Sequence, residues 1–537
     1  MTKQGRILTK TLALLLALTI AFSCGGMALA AKANYPIIYI YGRSTLYKNV
    51  NTPEKEMITY STDETMSGVI QEAIPYAARA FLSNDWTAYS DKVYSLLMNA
   101  FDGFALNEKG EVANGSGVDF TWDEKNISAN YTSNSITTYS FKYDARLSPL
   151  EIADDLNDYI EAVKRVTGKK KVSVVARCEG TNVLFGYLYK YQEKQNYSGI
   201  ASIVLYDASL YGVDILDAAM GGKIKADPYA LGKFLSYYSE SGDVSATLAN
   251  AMRLLQTGYG VNMSANVVDN FYSNLRNTLF LRFLKNTYAT APGFWTMVYK
   301  YYNEAKSYLF GESGDQQKYA KLIAKIDDYR KNVQLRVPKM IEDMQSNGVY
   351  VSAVCKYGFQ SYPVYEGAYE LSDKLTSLER QSFGATCSLV DSAFSAAEIR
   401  KLPEIEFKES LLSPDKQVYA FTGLLPYTTW YIKNLEHVDF PACVNSLLLQ
   451  LCRNQPDVNT GNYDQFSVLI VEDGAKKIIP MTENNCDPTG VMGINTNDNN
   501  YGDDTPSQKN TGILQRLLDV VAFFSALIAR LFGFLRG

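Results

Sequence analysis

The sequence predicts an α/β fold, a mostly parallel sheet with helices on both faces. Three observations point there. Continuous apolar runs at Pro36 to Tyr41, Val172 to Val175 and Ile200 to Leu205 have the uninterrupted, β-branched character of strands buried on both sides. Ahead of the second run, Ser148-Pro149-Leu150-Glu151 forms a capping box, Ile152, Leu156, Tyr159, Ile160 and Val163 trace one helix face, and Gly168 supplies the stop. With the strand expected at Ile136 to Tyr143, this makes a strand-helix-strand unit. The third observation is KKKVSVVARCEGTNVLFGY, Lys169 to Tyr187, where a strand gives way to a helix within five residues. So tight a turn forces its central residue, Cys178, to φ > 0, and only small residues such as Ala176 and Gly180 let the two arms approach.

At 537 residues the chain is long for one domain and has room for a large core with insertions. Its first segment reads as an export signal. Lys3, Arg6 and Lys10 form a basic region, Leu12 to Phe22 an apolar one, and Ala28-Leu29-Ala30 a cleavage signal, so residues 1–30 are expected to be removed and Ala31 to begin the mature chain. Lipid attachment at Cys24 is the alternative, although Ala21-Phe22-Ser23 matches the motif poorly. The formal charge of −5 becomes three units more negative on cleavage, which argues against a nucleic-acid partner. An extracellular or cell-surface location is expected. Cys178, Cys355, Cys387, Cys443, Cys452 and Cys486 follow the signal, with no C-x-x-C pair, which disfavours a metal centre, thioredoxin-like chemistry and a disulfide scaffold. Neither metal nor cofactor is expected.

Taken in order, residues 31–212 form the first part of the core, interrupted by an insertion at 49–135. That insertion has a helix-like part, Met66 to Ala100, and a polar part, Asn107 to Ser135, and suggests no chemistry. Residues 213–347 show helical periodicity without a strand and read as a helical insertion. Gly348 restarts the sheet with Val349 to Val354, and 348–494 form the second part of the core. A strand-like segment, Thr428 to Leu435, leads to His437, an apolar helix follows at Val444 to Leu451, and Phe466 to Ile479 reads as a hairpin turning at Asp473-Gly474. Residues 495–511, rich in Asn, Asp and Gly, read as a flexible linker. In 512–537, Ile513, Leu517, Val520, Val521, Phe524, Leu527, Ile528 and Leu531 line one helix face, but the apolar run is too short to span a bilayer. An amphipathic helix lying in the membrane plane is the expectation, with docking on the protein itself as the alternative.

His437 is the only histidine in the sequence. It lies C-terminal to Cys178 and to several candidate carboxylates, and nucleophile, acid, histidine is the chain order of an α/β-hydrolase triad. YPIIYIYGRS, SFKYDARLSPLEIADDLNDYIEAVKRVTGKKKVSVVARCEG and the segment ending NLEHVDFP resemble the lipase and lecithin:cholesterol-acyltransferase-like branch of the α/β-hydrolase superfamily, in separated blocks covering about half the chain. The resemblance implies that 213–347 is a helical cap, Cys178 the nucleophile, His437 the base, and Asp373 the acid orienting the imidazole. Asp207 is the first alternative acid and Asp415 the second. Backbone N–H groups of Arg43 and Glu179 would form the oxyanion hole, with Ala176 and Gly180 shaping the elbow. At that elbow the family's Gly-His-Ser becomes Ala176-Arg177-Cys178, and the usual His-Gly of the first strand becomes Tyr41-Gly42.

The function implied is cleavage of an ester or thioester bond in a small-molecule or lipid-like substrate through an acyl-cysteine. A thiolate at a helix N-terminus beside an imidazolium is chemically suited to that step. An acyltransferase would use the same residues and resolve the acyl-cysteine with an alcohol. A catalytically inactive surface binding module is the reading from a different class. The aromatic content, 40 Tyr and 24 Phe, fits a cap and pocket for apolar or sugar-like groups and equally an ordinary exported surface.

Overall fold

The computed structural model describes residues 34–486, apart from 42–43, 59–68, 70–71, 74, 78, 81–82, 124–126, 134–135, 226, 228, 231–268, 404–407, 454–459 and 461–462. The expected signal at 1–30, Arg43, the linker at 495–511 and the amphipathic helix at 512–537 lie outside the described residues. No described helix is long and apolar enough to cross a membrane.

A nine-stranded sheet organises the chain. Its strands are β1 (Ile37–Tyr41), β2 (Tyr131–Ser133), β3 (Ile136–Phe141), β4 (Val172–Arg177), β5 (Ile200–Tyr206), β6 (Tyr350–Tyr357), β7 (Thr429–Lys433), β8 (Phe466–Glu472) and β9 (Ala475–Pro480). They lie in the order β9-β8-β7-β6-β5-β4-β1-β3-β2. From β3 across to β8 every pairing is parallel, and one antiparallel strand closes each edge. The β8-β9 hairpin turns at Asp473 and Gly474, both with positive φ, 48° and 76°, as a two-residue Asp-Gly loop favours.

Alternate strand residues feed two separate cores, the signature of a sheet covered on both sides. Ile38, Ile40, Val174, Ala176, Ile203, Leu205, Ala353 and Cys355 point into the larger one. Ile37, Tyr39, Val175, Val204, Tyr206 and Val354 point into the smaller one, against Val444, Leu448 and Leu451 of helix α8 (Ala442–Arg453). Helix α2 (Pro149–Thr167) starts at the expected capping box and ends at Gly168 in the left-handed region, φ 64°. Its buried residues include Ile152, Leu156, Tyr159, Ile160 and Val163, and it packs beside α3 (Gly180–Tyr187) in the larger core.

The insertion at 49–135 supplies helix α1 (Thr87–Ala100) and joins the core through Arg146. This arginine is fully buried, ion-paired to Asp144 at 2.6 Å, and donates to the carbonyls of Gly103 and Phe104 and the hydroxyl of Ser116. Between β5 and β6 the described elements are helical, among them α4 (Asp214–Met220), α5 (Tyr302–Phe310), α6 (Ala320–Asn332) and α7 (Val337–Ser346). Helix α7 packs directly on β6. The last part of the 213–347 segment is therefore a sheet-covering crossover helix, which periodicity alone could not separate from an insertion.

Candidate active site

The site is assembled from the C-terminal ends of β4, β5, β6 and β7. After β4 the chain turns into α3 through Cys178, whose φ is +48°. Ala176 pairs with Ile40 of β1. A Cβ on Gly180 would meet the Ile40 carbonyl oxygen at 2.1 Å, so glycine is needed for α3 to pass that close to β1. The Cys178 carbonyl is capped by the amide of Thr181 at 3.0 Å and its hydroxyl at 2.6 Å, and the Cys178 amide donates to Tyr206 of β5. The turn is thus shaped by the small residues Ala176 and Gly180 and by one cysteine at positive φ; Glu179, next in the chain, is buried and its carboxylate accepts from the Tyr143 hydroxyl at 3.4 Å.

His437 follows β7, and Asp373 follows a long loop after β6. They are tied twice: His437 Nδ1 lies 2.7 Å from Asp373 Oδ2, and the His437 amide donates to the Asp373 carbonyl at 2.9 Å. The other carboxylate oxygen of Asp373 accepts from the amides of Leu375 and Thr376 at 3.0 and 2.8 Å. With these donors a carboxylate stays ionised in a dry site. Burial pushes Asp373 up, but His437, Lys356 and the Thr376 amide hold it below the usual carboxylate range. Burial likewise disfavours the imidazolium, yet Asp373 and Cys178 overcome it and raise His437 to about 10.

The sulfur of Cys178 acts on the His437 ring through charge and at hydrogen-bonding range. Nε2 nevertheless makes no well-aligned hydrogen bond among the described residues. The two groups are thus coupled by charge without a formed hydrogen bond, a looseness common where catalytic bonds tighten only with substrate. Cys178 is 6% exposed, His437 1% and Asp373 not at all, so all three side chains are buried. A thiol, an imidazole and an oriented carboxylate in this order can pass a proton from sulfur to nitrogen and keep the resulting charge pair.

Asp207 follows β5 with φ +50° and is fully buried. It does not hydrogen-bond His437. Its Oδ2 lies 2.9 Å from Lys356 Nζ and 3.4 Å from Arg177 Nε, and burial raises its pKa against these cations and His437. Asp415 is farther from this arrangement in role: it pairs with Lys433 at 3.0 Å and accepts from Tyr357 at 3.1 Å. Donor atoms of Asp207, Asp373 and His437 all lie within 4.8 Å of one another. A metal ion there would have to displace the Lys356 ammonium and break the Nδ1 bond, so the trio fits a buried ion network better than a metal centre. Sequence reasoning missed Lys356 altogether; its signal was a lysine inside an apolar strand, where an unpaired charge is too costly to bury.

The six cysteines among the described residues, Cys178, Cys355, Cys387, Cys443, Cys452 and Cys486, are free thiols. No protein-family profile matches the sequence, and no curated protein matches it.

Proposed function

We propose that the protein is an exported α/β-hydrolase of lipase-like type that cleaves an ester or thioester through an acyl-cysteine. The reading rests on one observation: Cys178, held at positive φ on a strand-to-helix turn, adjoins a histidine that is bonded to Asp373 at 2.7 Å. In the proposed first step the proton shared by Cys178 and His437 already sits on the imidazole, the sulfur forms a C–S bond at the substrate carbonyl, and negative charge collects on its oxygen. Amide N–H groups of Glu179 and Arg43 are the proposed donors to that oxygen, each worth about 10²–10³ in rate. As the carbonyl re-forms, the carbon's bond to the alcohol or thiol breaks, and that leaving group takes the proton from His437. Water then attacks the thioester, its proton goes to His437, and the C–S bond breaks to free the acid and restore the thiol.

The helical segment is the proposed cap. Support comes from α6, whose Tyr329 hydroxyl is within hydrogen-bond distance of the Asn182 carbonyl and side-chain oxygens at 3.2 and 3.1 Å, in the first turn of α3. A layer held there would govern substrate size and water access. Removal of residues 1–30 and membrane attachment through 512–537 complete the proposal.

The test is an ester and thioester panel read by mass spectrometry of the intact protein and its peptides. A single acyl adduct on Cys178, absent in Cys178→Ala and His437→Ala, is expected. Equal modification of all the mature cysteines, or no adduct with any activated acyl donor, would overturn the reading in favour of a binding module. Product formed only when an alcohol is supplied would identify an acyltransferase.

A further inference from the structure

Arg177, where the resembled family carries histidine, engages the His437 segment. Its guanidinium donates to the backbone carbonyl of His437, lies against Asp207 at 3.4 Å, and sits over the rings of Tyr206 and Phe440 at 5.4 and 5.6 Å. Lys356 reaches the same segment from β6. Its ammonium donates to the carbonyls of Glu436, His437 and Asp439 at 3.0, 2.9 and 2.8 Å. Those three bonds use all three N–H donors. Asp207 therefore receives no directed hydrogen bond and contributes charge, 2.9 Å from Nζ. Both Lys356 and Asp207 are fully buried.

We propose that Arg177 and Lys356, seated on Asp207, form a cationic clamp on the backbone of residues 436–439 that fixes the His437 ring between Asp373 and Cys178. They are positioning residues and touch no reacting atom. Two features require more than structural support. A fully buried ammonium and a partly buried guanidinium are costly to desolvate, and an apolar contact would hold a loop at lower cost. They also converge on the carbonyl of one residue, His437, from two different strands, one of them leading directly into Cys178. Moving the ring by 1 Å would cost about 10² in rate. The role of the clamp in acylation rests on the function proposed above, whereas its hold on the ring does not.

Because the chain has one histidine, a ¹⁵N-histidine-labelled protein gives one Nδ1–H resonance, far downfield when bonded to a carboxylate. Lys356→Met alone would leave the fully buried Asp207 with Arg177 at 3.4 Å as its one remaining Arg or Lys partner among the described residues, so the informative variant is Lys356→Met/Asp207→Asn, which removes both charges together. The expected result is a protein that still melts cooperatively, with the Nδ1–H signal broadened away and acylation of Cys178 by 4-nitrophenyl butyrate slowed about 10²-fold at little changed KM. Arg177→Met should act in the same direction, and Arg177→Lys should restore most of the signal. A sharp, unshifted Nδ1–H resonance in the folded double variant overturns the clamp. A wild-type protein that shows the resonance but forms no acyl adduct overturns the proposed function instead, and the clamp is then judged on the resonance alone.

Discussion

A Cβ added to Gly180 would lie 2.1 Å from the carbonyl oxygen of Ile40. The first turn of α3 and the end of β1 are in backbone contact there, and Cys178 is presented by that contact. Gly180→Ala should therefore push α3 off β1 and destabilise the protein by about 1–3 kcal/mol, the usual range for overpacking. Gly168→Ala is the comparison: φ is 64° with open space around it, so only the left-handed backbone is strained, about 1–2 kcal/mol. Thermal melts of both, with thiol labelling at Cys178, check this. The expectation is that labelling changes in Gly180→Ala and not in Gly168→Ala.

The two carboxylates beside His437 should respond differently to amidation. Asp373→Asn removes the negative charge that fixes the Nδ1 proton and lets an amide NH2 face that nitrogen, and the proposed acylation at Cys178 should fall by about 10²–10⁴. Asp207→Asn takes the counter-charge from Lys356 and Arg177 and should lower the melting temperature more than Asp373→Asn does. Parallel kinetics and melts of the two variants decide it; equal kinetic loss in both would mean that the orienting role is shared.

Stability should depend on pH through His437. Its folded value, about 10, lies above the unfolded 6.5, so its contribution is complete below about 6.5 and is lost as pH rises towards 10. Asp373 is shifted the other way; its contribution is present above its unfolded value and is lost as acid titrates the folded carboxylate. The melting-temperature gap between wild type and His437→Gln should narrow between pH 6.5 and 10. An unchanged gap across that interval would show that His437 is not charged in the folded protein.

Arg146→Met should cost about 3–5 kcal/mol, because Asp144 is left buried and unpaired. Cutting by a protease should then appear first near Gly103 and Ser116, which lose their anchor. Arg146→Met/Asp144→Asn removes both charges and should recover part of the loss. Limited proteolysis followed by peptide mapping measures each.

Much of the fold was legible because its signals are local. Ser148 and Glu151 cap α2, Asp473-Gly474 turns the hairpin, and the β-branched runs became central strands. Elbow geometry was legible from Ala176 and Gly180 for the same reason. Asp373 and Asp207 were harder to rank, since both follow strands and only the path of the 358–372 loop brings the first onto Nδ1. Lys356 was hidden because its partners are backbone carbonyls 80 residues and more away, which carry no side-chain signature. The strand reading at Val349 to Val354 stopped short of it.

The bond from Arg177 to the His437 carbonyl spans 260 residues, and four neighbouring strands must already lie side by side before it can form. A growing or truncated chain that stops ahead of β7 has a thiol and no imidazole anywhere in it. Whatever reactivity the proposed pair confers would thus arrive late, as a product of completed assembly rather than of any fragment. On the export route proposed above, a chain still passing through a membrane would carry an unarmed cysteine until its final strands were in place.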